Sequence, residues 1–129
     1  MPSHRSRLCS ALIDVPHADY DREVTFWQQA LDRPAEVGVD DSEYTGFGEP
    51  TPGVQFMVQS VGDDTARVHL DIETDDVEAE VARLTALGAT VVGRPKRWVV
   101  MRDPVGTVFC VVRVQLSDAF EASATTWTT

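Results

Sequence analysis

Residues Arg67 to Thr74 read RVHLDIET, in which polar and apolar residues alternate. In a strand alternate side chains share a face, so Val68, Leu70 and Ile72 point one way and His69, Asp71 and Glu73 the other. An imidazole beside two carboxylates can exchange protons near neutrality, attract a cationic group or hold a metal ion. His69 and Asp71 are the candidate acid–base residues, and Glu73 joins them as a candidate ligand contact. The alternative is structural: Asp71 and Glu73 pair with arginines such as Arg97, Arg102 or Arg113, because a buried carboxylate without a partner is costly. Cys110 sits mid-strand between Phe109 and Val111. It is a nucleophile if its pKa is lowered beside a base, and otherwise a small buried hydrophobe. Trp98, alternating with Val100 and Arg102, is a candidate stacking surface for a ligand.

These residues need elements to position them. Leu8 to Val15 (LCSALIDV) reads as a buried strand. Asp19 is placed to cap a helix whose apolar stripe is Tyr20, Val24, Trp27 and Leu31, ended by Pro34. Short strands between Ala35 and Tyr44 are weakly signalled. Val54 to Val61 is a strand with Gln55, Met57 and Gln59 on one face, followed by a turn at Gly62-Asp63-Asp64. After Arg67–Thr74, Asp75 and Glu78 form a capping box in its Asp variant. A second helix carries Val77, Val81 and Leu84 and ends at Gly88, where a left-handed residue is expected. Strands at Thr90–Gly93 and Arg97–Arg102, a type I turn at Asp103-Pro104-Val105-Gly106, and a strand at Thr107–Val114 complete the set. The tail predicts a short helix around Asp118–Ala122 and then a frayed end.

The order is strand, helix, three strands, twice over. Ser10 falls on His69, Leu31 on Leu87 and Phe56 on Phe109, and Leu12 and Asp14 occupy the places of Asp71 and Glu73. Such repetition predicts an α+β fold of two tandem βαβββ modules, forming curved mixed sheets around a concave cleft. Residues 1–114 read as one domain, with modules at about 7–61 and 66–114, and 115–129 as a C-terminal tail.

Composition narrows the partners. The chain has 129 residues, with 11 Lys+Arg against 21 Asp+Glu, a net charge of -10. Phosphate backbones and anionic membranes call for basic patches, so neither nucleic acid nor a membrane is expected as a partner. No apolar run approaches a membrane span and no secretory segment follows the basic start, which predicts a cytoplasmic protein. Cys9 and Cys110 form no disulfide scaffold and are expected to be reduced.

The layout resembles the vicinal oxygen chelate superfamily, which includes glyoxalase I, extradiol dioxygenases and bleomycin- and fosfomycin-resistance proteins. Within it the chain is most similar to small bacterial glyoxalase-like domain proteins. The residues that carry the resemblance are Phe26-Trp27, His69 through Asp76, Leu87-Gly88-Ala89, and Trp98 through Cys110. The resemblance implies a homodimer. It also implies four ligand positions, two per half, which metal-dependent members fill with His, Gln or Glu. Here they hold Ser10, Met57 (or Gln55 with the register moved by two), His69 and Cys110. Serine and methionine do not suit a hard dication, and the thiol stands where the family has Glu. The first expectation is therefore no cofactor and no metal site, with a divalent transition metal on His69, Gln55 and Cys110 as the alternative. The ligand-binding residues implied are Ser10, Gln55, Met57, His69, Asp71, Glu73, Trp98 and Cys110.

Three functions follow. The first is a protein that binds or sequesters a small organic ligand, drug- or natural-product-like and cationic in keeping with the chain's charge. The second is a metal-dependent lyase, isomerase or dioxygenase with an altered ligand set. The third is a metal-free acid–base enzyme using His69 with Asp71 or Glu73. Whether the chain is an enzyme is left open.

Overall fold

A computed structural model describes residues 2–38, 43–62 and 66–128. The chain divides into two compact units, Ser10–His69 and Met1–Cys9 with Leu70–Thr129. Asp63 and Asp64 of the expected turn lie outside the described residues.

In the unit Ser10–His69, the second half of strand β1 (Ser3–Val15) leads through a 3-10 turn at His17–Asp19 into helix α1 (Tyr20–Leu31). Asp19 does not cap α1 with its side chain; its carboxylate accepts instead from Arg22 Nη2 at 2.7 Å. The helix stops at Asp32, which is left-handed at φ +50°, two residues before Pro34. Strands β2 (Glu36–Val37), β3 (Tyr44–Gly46) and β4 (Gln55–Ser60) follow. Their order is β2-β3-β4-β1, with β1 parallel to β4 and the other pairs antiparallel. Val15, Phe47 and Val58 are buried under Tyr20, Val24 and Trp27 of the helix stripe. Each such apolar burial contributes about 1.5–3 kcal/mol. Trp27 meets Phe56 edge-on at 5.1 Å between ring centroids. Strand alternation leaves Ser10, Leu12 and Asp14 of β1, and Gln55, Met57 and Gln59 of β4, on the opposite face.

In the other unit, strand β5 (Arg67–Thr74) contributes its residues from Leu70. It is followed by α2 (Val77–Ala86), β6 (Thr90–Gly93), β7 (Val99–Arg102), β8 (Val108–Arg113), α3 (Ser117–Ser123) and β9 (Thr125–Thr128). The order β5-β8-β7-β6, with β5 parallel to β8 and the rest antiparallel, matches the ladder of the first unit. The chain is thus α+β with the βαβββ order twice, as its internal repetition predicts. Val81, Ala89, Val99, Met101 and Val111 form the buried cluster. The cap of α2 is Asp76, which accepts from Ala79 N at 3.1 Å. Asp75, the expected cap, instead accepts from Arg5 N at 2.8 Å. Gly88 has φ +110°, and a Cβ there would lie 3.2 Å from Pro104 Cγ, so the left-handed helix end admits glycine for two reasons.

The chain's end is not frayed. After α3, β9 pairs antiparallel with Ser3–Ser6, which is why β1 begins five residues earlier than its apolar run. Trp127 Nε1 donates to Ser6 Oγ at 2.9 Å, and the Arg83 guanidinium sits 3.8 Å from the Trp127 ring centroid. Beneath them Glu80 is fully buried. It accepts from His4 Nε2 at 2.8 Å and from Arg83 Nε and Nη2, each at 2.8 Å. Burial pushes the Glu80 carboxyl up, but hydrogen bonds from Arg83, His4 and Ser6 outweigh it and hold it below its ordinary 4.5. A depressed carboxyl stabilises the fold above its unfolded pKa and loses that contribution as pH falls through the folded one. In denaturant unfolding, the stability gap between the wild type and Glu80→Gln is expected to be widest above pH 4.5 and to shrink below it. A gap that stays constant across that range would contradict the assignment.

No helix of the described residues is long and apolar enough to cross a membrane. Cys9 and Cys110 are both buried, and neither is in a disulfide among the described residues.

Candidate functional site

His69 lies in β5 and is 7% exposed; Asp14 lies in β1 and is 1% exposed. His69 Nδ1 donates to Asp14 Oδ2 at 2.7 Å. Arg67 Nε lies 3.5 Å from the same oxygen. Asp14 Oδ1 is buried with no hydrogen-bond partner among the described residues. A buried carboxylate that receives Nδ1–H fixes the imidazole's orientation and tautomer, so that Nε2 carries the lone pair. It also stabilises the imidazolium that forms when Nε2 takes up a proton. This is the arrangement of an oriented general base. It is equally the arrangement by which a carboxylate orients a metal-ligating histidine.

Ser10 and Gln55 share the Asp14 face. They are partners in the β1–β4 register, and Ser10 Oγ donates to Gln55 Oε1 at 3.1 Å. Met57 pairs in register with Leu12, so of the two residues weighed for that position Gln55 is the one beside Ser10. Ser10 with Gln55 and Asp14 with His69 are thus two polar pairs in the unit Ser10–His69, four residues apart along β1, with Leu12 and Met57 between them in the register.

The four remaining candidates, Asp71, Glu73, Trp98 and Cys110, lie in the other unit. Asp71 and Cys110 are partners in the β5–β8 register, and a carboxylate oxygen of Asp71 comes within 4.8 Å of Cys110 Sγ. Glu73 is fully buried. Its Oε2 accepts from Arg7 Nε at 2.6 Å, and its Oε1 accepts from the backbone N–H groups of Gln115 at 2.6 Å and Leu116 at 2.9 Å. The expected pairing of Glu73 with an arginine is present, but the partner is Arg7 rather than Arg97, Arg102 or Arg113. Glu73 ties the end of β5 to β1 and to the segment before α3. Trp98 lies one residue ahead of β7 rather than within a strand, and lines a cavity with Arg94, Lys96, Arg97 and Arg113.

Asp14, the buried partner of His69, is not among the residues that the sequence pattern selects. The repeat itself could have found it, since Asp14 occupies the place of Glu73. In both units that place holds a buried carboxylate beside an arginine: Arg67 near Asp14 and Arg7 on Glu73.

The sequence profile of the glyoxalase-like domain matches residues 10–112. No curated protein sequence matches the chain. Among solved structures, a methylmalonyl-CoA epimerase from Mycobacterium tuberculosis is 17% identical, with a TM-score of 0.57, over 87% of this chain and 90% of that one. A Streptomyces coelicolor methylmalonyl-CoA epimerase, in complex with 2-nitronate-propionyl-CoA, is 17% identical with a TM-score of 0.55, over 85% and 95%. A structure described as an NAD-dependent benzaldehyde dehydrogenase from Legionella pneumophila is 9% identical with a TM-score of 0.57, over 81% and 99%. At these identities the likeness is one of fold.

Proposed function

The chain belongs to the glyoxalase-like domain family, and from that premise we propose that it binds a small organic molecule and moves one of its protons with His69. The observation that carries this reading is the buried hydrogen bond of 2.7 Å from His69 Nδ1 to Asp14 Oδ2. Sequestration alone requires a fitted surface, but no imidazole oriented by a buried carboxylate. The ligand class is a molecule with a C–H made acidic by a neighbouring carbonyl group. Methylmalonyl groups, named in two of the similar structures, have such a C–H between two carbonyls. The chain's charge of -10 favours a neutral or cationic ligand over a polyanion.

In this reading His69 Nε2 accepts the proton and Asp14 stabilises the imidazolium. Ser10 Oγ and Gln55, already bonded to each other, supply polar contacts to the ligand's oxygen atoms. All four residues come from one chain, so the reading holds with or without the homodimer that the family resemblance implies.

The test is deuterium incorporation, followed by proton NMR, from D2O into methylmalonyl-CoA and a panel of neutral and cationic carbonyl compounds. Exchange that survives EDTA and is lost in His69→Asn supports the proposal. Saturable binding without any exchange would reassign the protein to sequestration.

A second reading is favoured by Asp71 and Cys110. Their carboxylate and thiol, within 4.8 Å, suit a borderline ion such as zinc better than a hard dication. Ser10 and Met57 do not fit the hard ion that the family's usual ligand set would hold. A bound ion would polarise ligand oxygens. The reading predicts close to one equivalent of zinc in protein purified without chelator, lost in Cys110→Ser. Metal at trace levels in the wild type, with no change in melting temperature on adding zinc, would remove it.

A further inference from the structure

The unit Met1–Cys9 with Leu70–Thr129 contains a cavity of about 750 Å³ at the start of α2, a volume in the usual range for small-molecule sites. It is lined by Arg94, Lys96, Arg97 and Arg113, four of the chain's 11 basic residues. In a protein of net charge -10 this is a local reversal of sign.

Three carboxylates also line the cavity, and each has a hydrogen-bond or ion-pair partner. Asp75 accepts from Arg5 N at 2.8 Å, and Asp76 accepts from Ala79 N at 3.1 Å. Glu78 is paired with Arg94 Nη1 at 2.5 Å. The guanidinium groups of Arg97 and Arg113 have no carboxylate or carbonyl partner among the described residues. Lys96 Nζ lies 5.9 Å from the centroid of the Trp98 ring. Four cations thus stand against three carboxylates, a net charge of one positive, and Lys96, Arg97 and Arg113 are the cations without a carboxylate partner among the described residues. Half-buried Trp98 supplies an apolar plane beside them.

Two guanidiniums and an ammonium suit a phosphate better than a single carboxylate, because guanidinium binds phosphate oxygens bidentately. An indole suits a flat ring. We propose that this cavity binds a small phosphomonoester that carries a planar ring. None of the residues invoked takes part in the proton transfer by His69, so either proposal can fail without the other.

The test uses adenosine 5′-monophosphate, inorganic phosphate and adenosine as separate probes, titrated into the full chain by calorimetry at low and moderate salt. The nucleotide is expected to bind saturably and roughly tenfold or more tighter than either fragment, and to weaken as salt rises. The double variant Arg97→Ala/Arg113→Ala alters exposed side chains and is expected to keep the wild-type melting temperature. It should lose roughly tenfold or more of the nucleotide affinity. Trp98→Leu should bring the nucleotide down to the affinity of phosphate alone. No saturable nucleotide binding would overturn the proposal. So would equal affinity for nucleotide and phosphate, or binding untouched by the arginine double variant.

Discussion

Replacing Glu73 by alanine is expected to destabilise the protein by roughly 3–5 kcal/mol, the range for breaking a buried ion pair by removing one partner. Glu73 is fully buried, and Arg7 is only 11% exposed at its side chain. Alanine would leave the Arg7 guanidinium without its carboxylate and the amides of Gln115 and Leu116 without their acceptor. Each stranded donor carries its own desolvation cost. The change also weakens the anchor of the segment that leads into α3 and β9. Urea unfolding of the variant checks this, with Glu73→Gln as an isosteric control that keeps one acceptor and is expected to lose about 1–3 kcal/mol. A loss under about 1 kcal/mol for Glu73→Ala would mean that water replaces the carboxylate, and that the clamp contributes little.

The second large effect concerns activity. His69→Asn is expected to lower the rate of proton exchange on the order of 10²- to 10⁴-fold, the usual contribution of a positioned general base. Asp14→Asn should cost a comparable factor, because an amide no longer stabilises the imidazolium and can donate to Nδ1, which favours the wrong tautomer. Ser10→Ala removes one hydroxyl from the separate Ser10–Gln55 pair and should cost less, about tenfold, mainly in KM. Circular dichroism and melting curves on each variant separate lost chemistry from lost fold. If Asp14→Asn keeps full activity while His69→Asn does not, the carboxylate is structural and His69 acts without it.

How far the sequence carries differs by element, for physical reasons. The alternation of β5 was legible because apolar residues occupy every second place, and strand geometry turns that directly into faces. The repeat was legible because both halves place a helix after their first strand, and it carried the α+β assignment. The N-terminal half of β1 was not. His4 and Ser6 are its buried residues, and a strand that buries polar side chains has no hydrophobic period to read. Its partner β9 is equally polar, so the register between Ser3–Ser6 and Thr125–Thr128 depends on contacts between the two chain ends that no local pattern encodes.

The cap of α2 was misplaced by one residue because Asp75 and Asp76 are chemically identical. Only the β1 backbone at Arg5 decides which carboxylate is free to turn back on the helix. For Glu73 the sequence leaves open a ligand contact or an arginine partner, and it does not point to Arg7, which is 66 residues away and pairs through tertiary packing. His69 was singled out by its strand, whereas Asp14 was hidden in an apolar run, where one acid reads as an interruption. Trp98 was placed in a strand that begins one residue later, at Val99. That difference moves its ring from a sheet face to the rim of a basic cavity.

The central claim is that Asp14 holds His69 with its proton on Nδ1 and its lone pair on Nε2. It can be tested without knowing the ligand, by long-range proton–nitrogen correlation NMR on protein with ¹⁵N-labelled histidine. The chain has three histidines, so the His69→Asn variant assigns the His69 signals by their disappearance. At a pH high enough for neutral imidazole, the account predicts a protonated Nδ1 and an unprotonated Nε2 for His69, with the preference weakened or reversed in Asp14→Asn. A His69 ring protonated on Nε2 in the wild type, or a tautomer indifferent to Asp14→Asn, would contradict it.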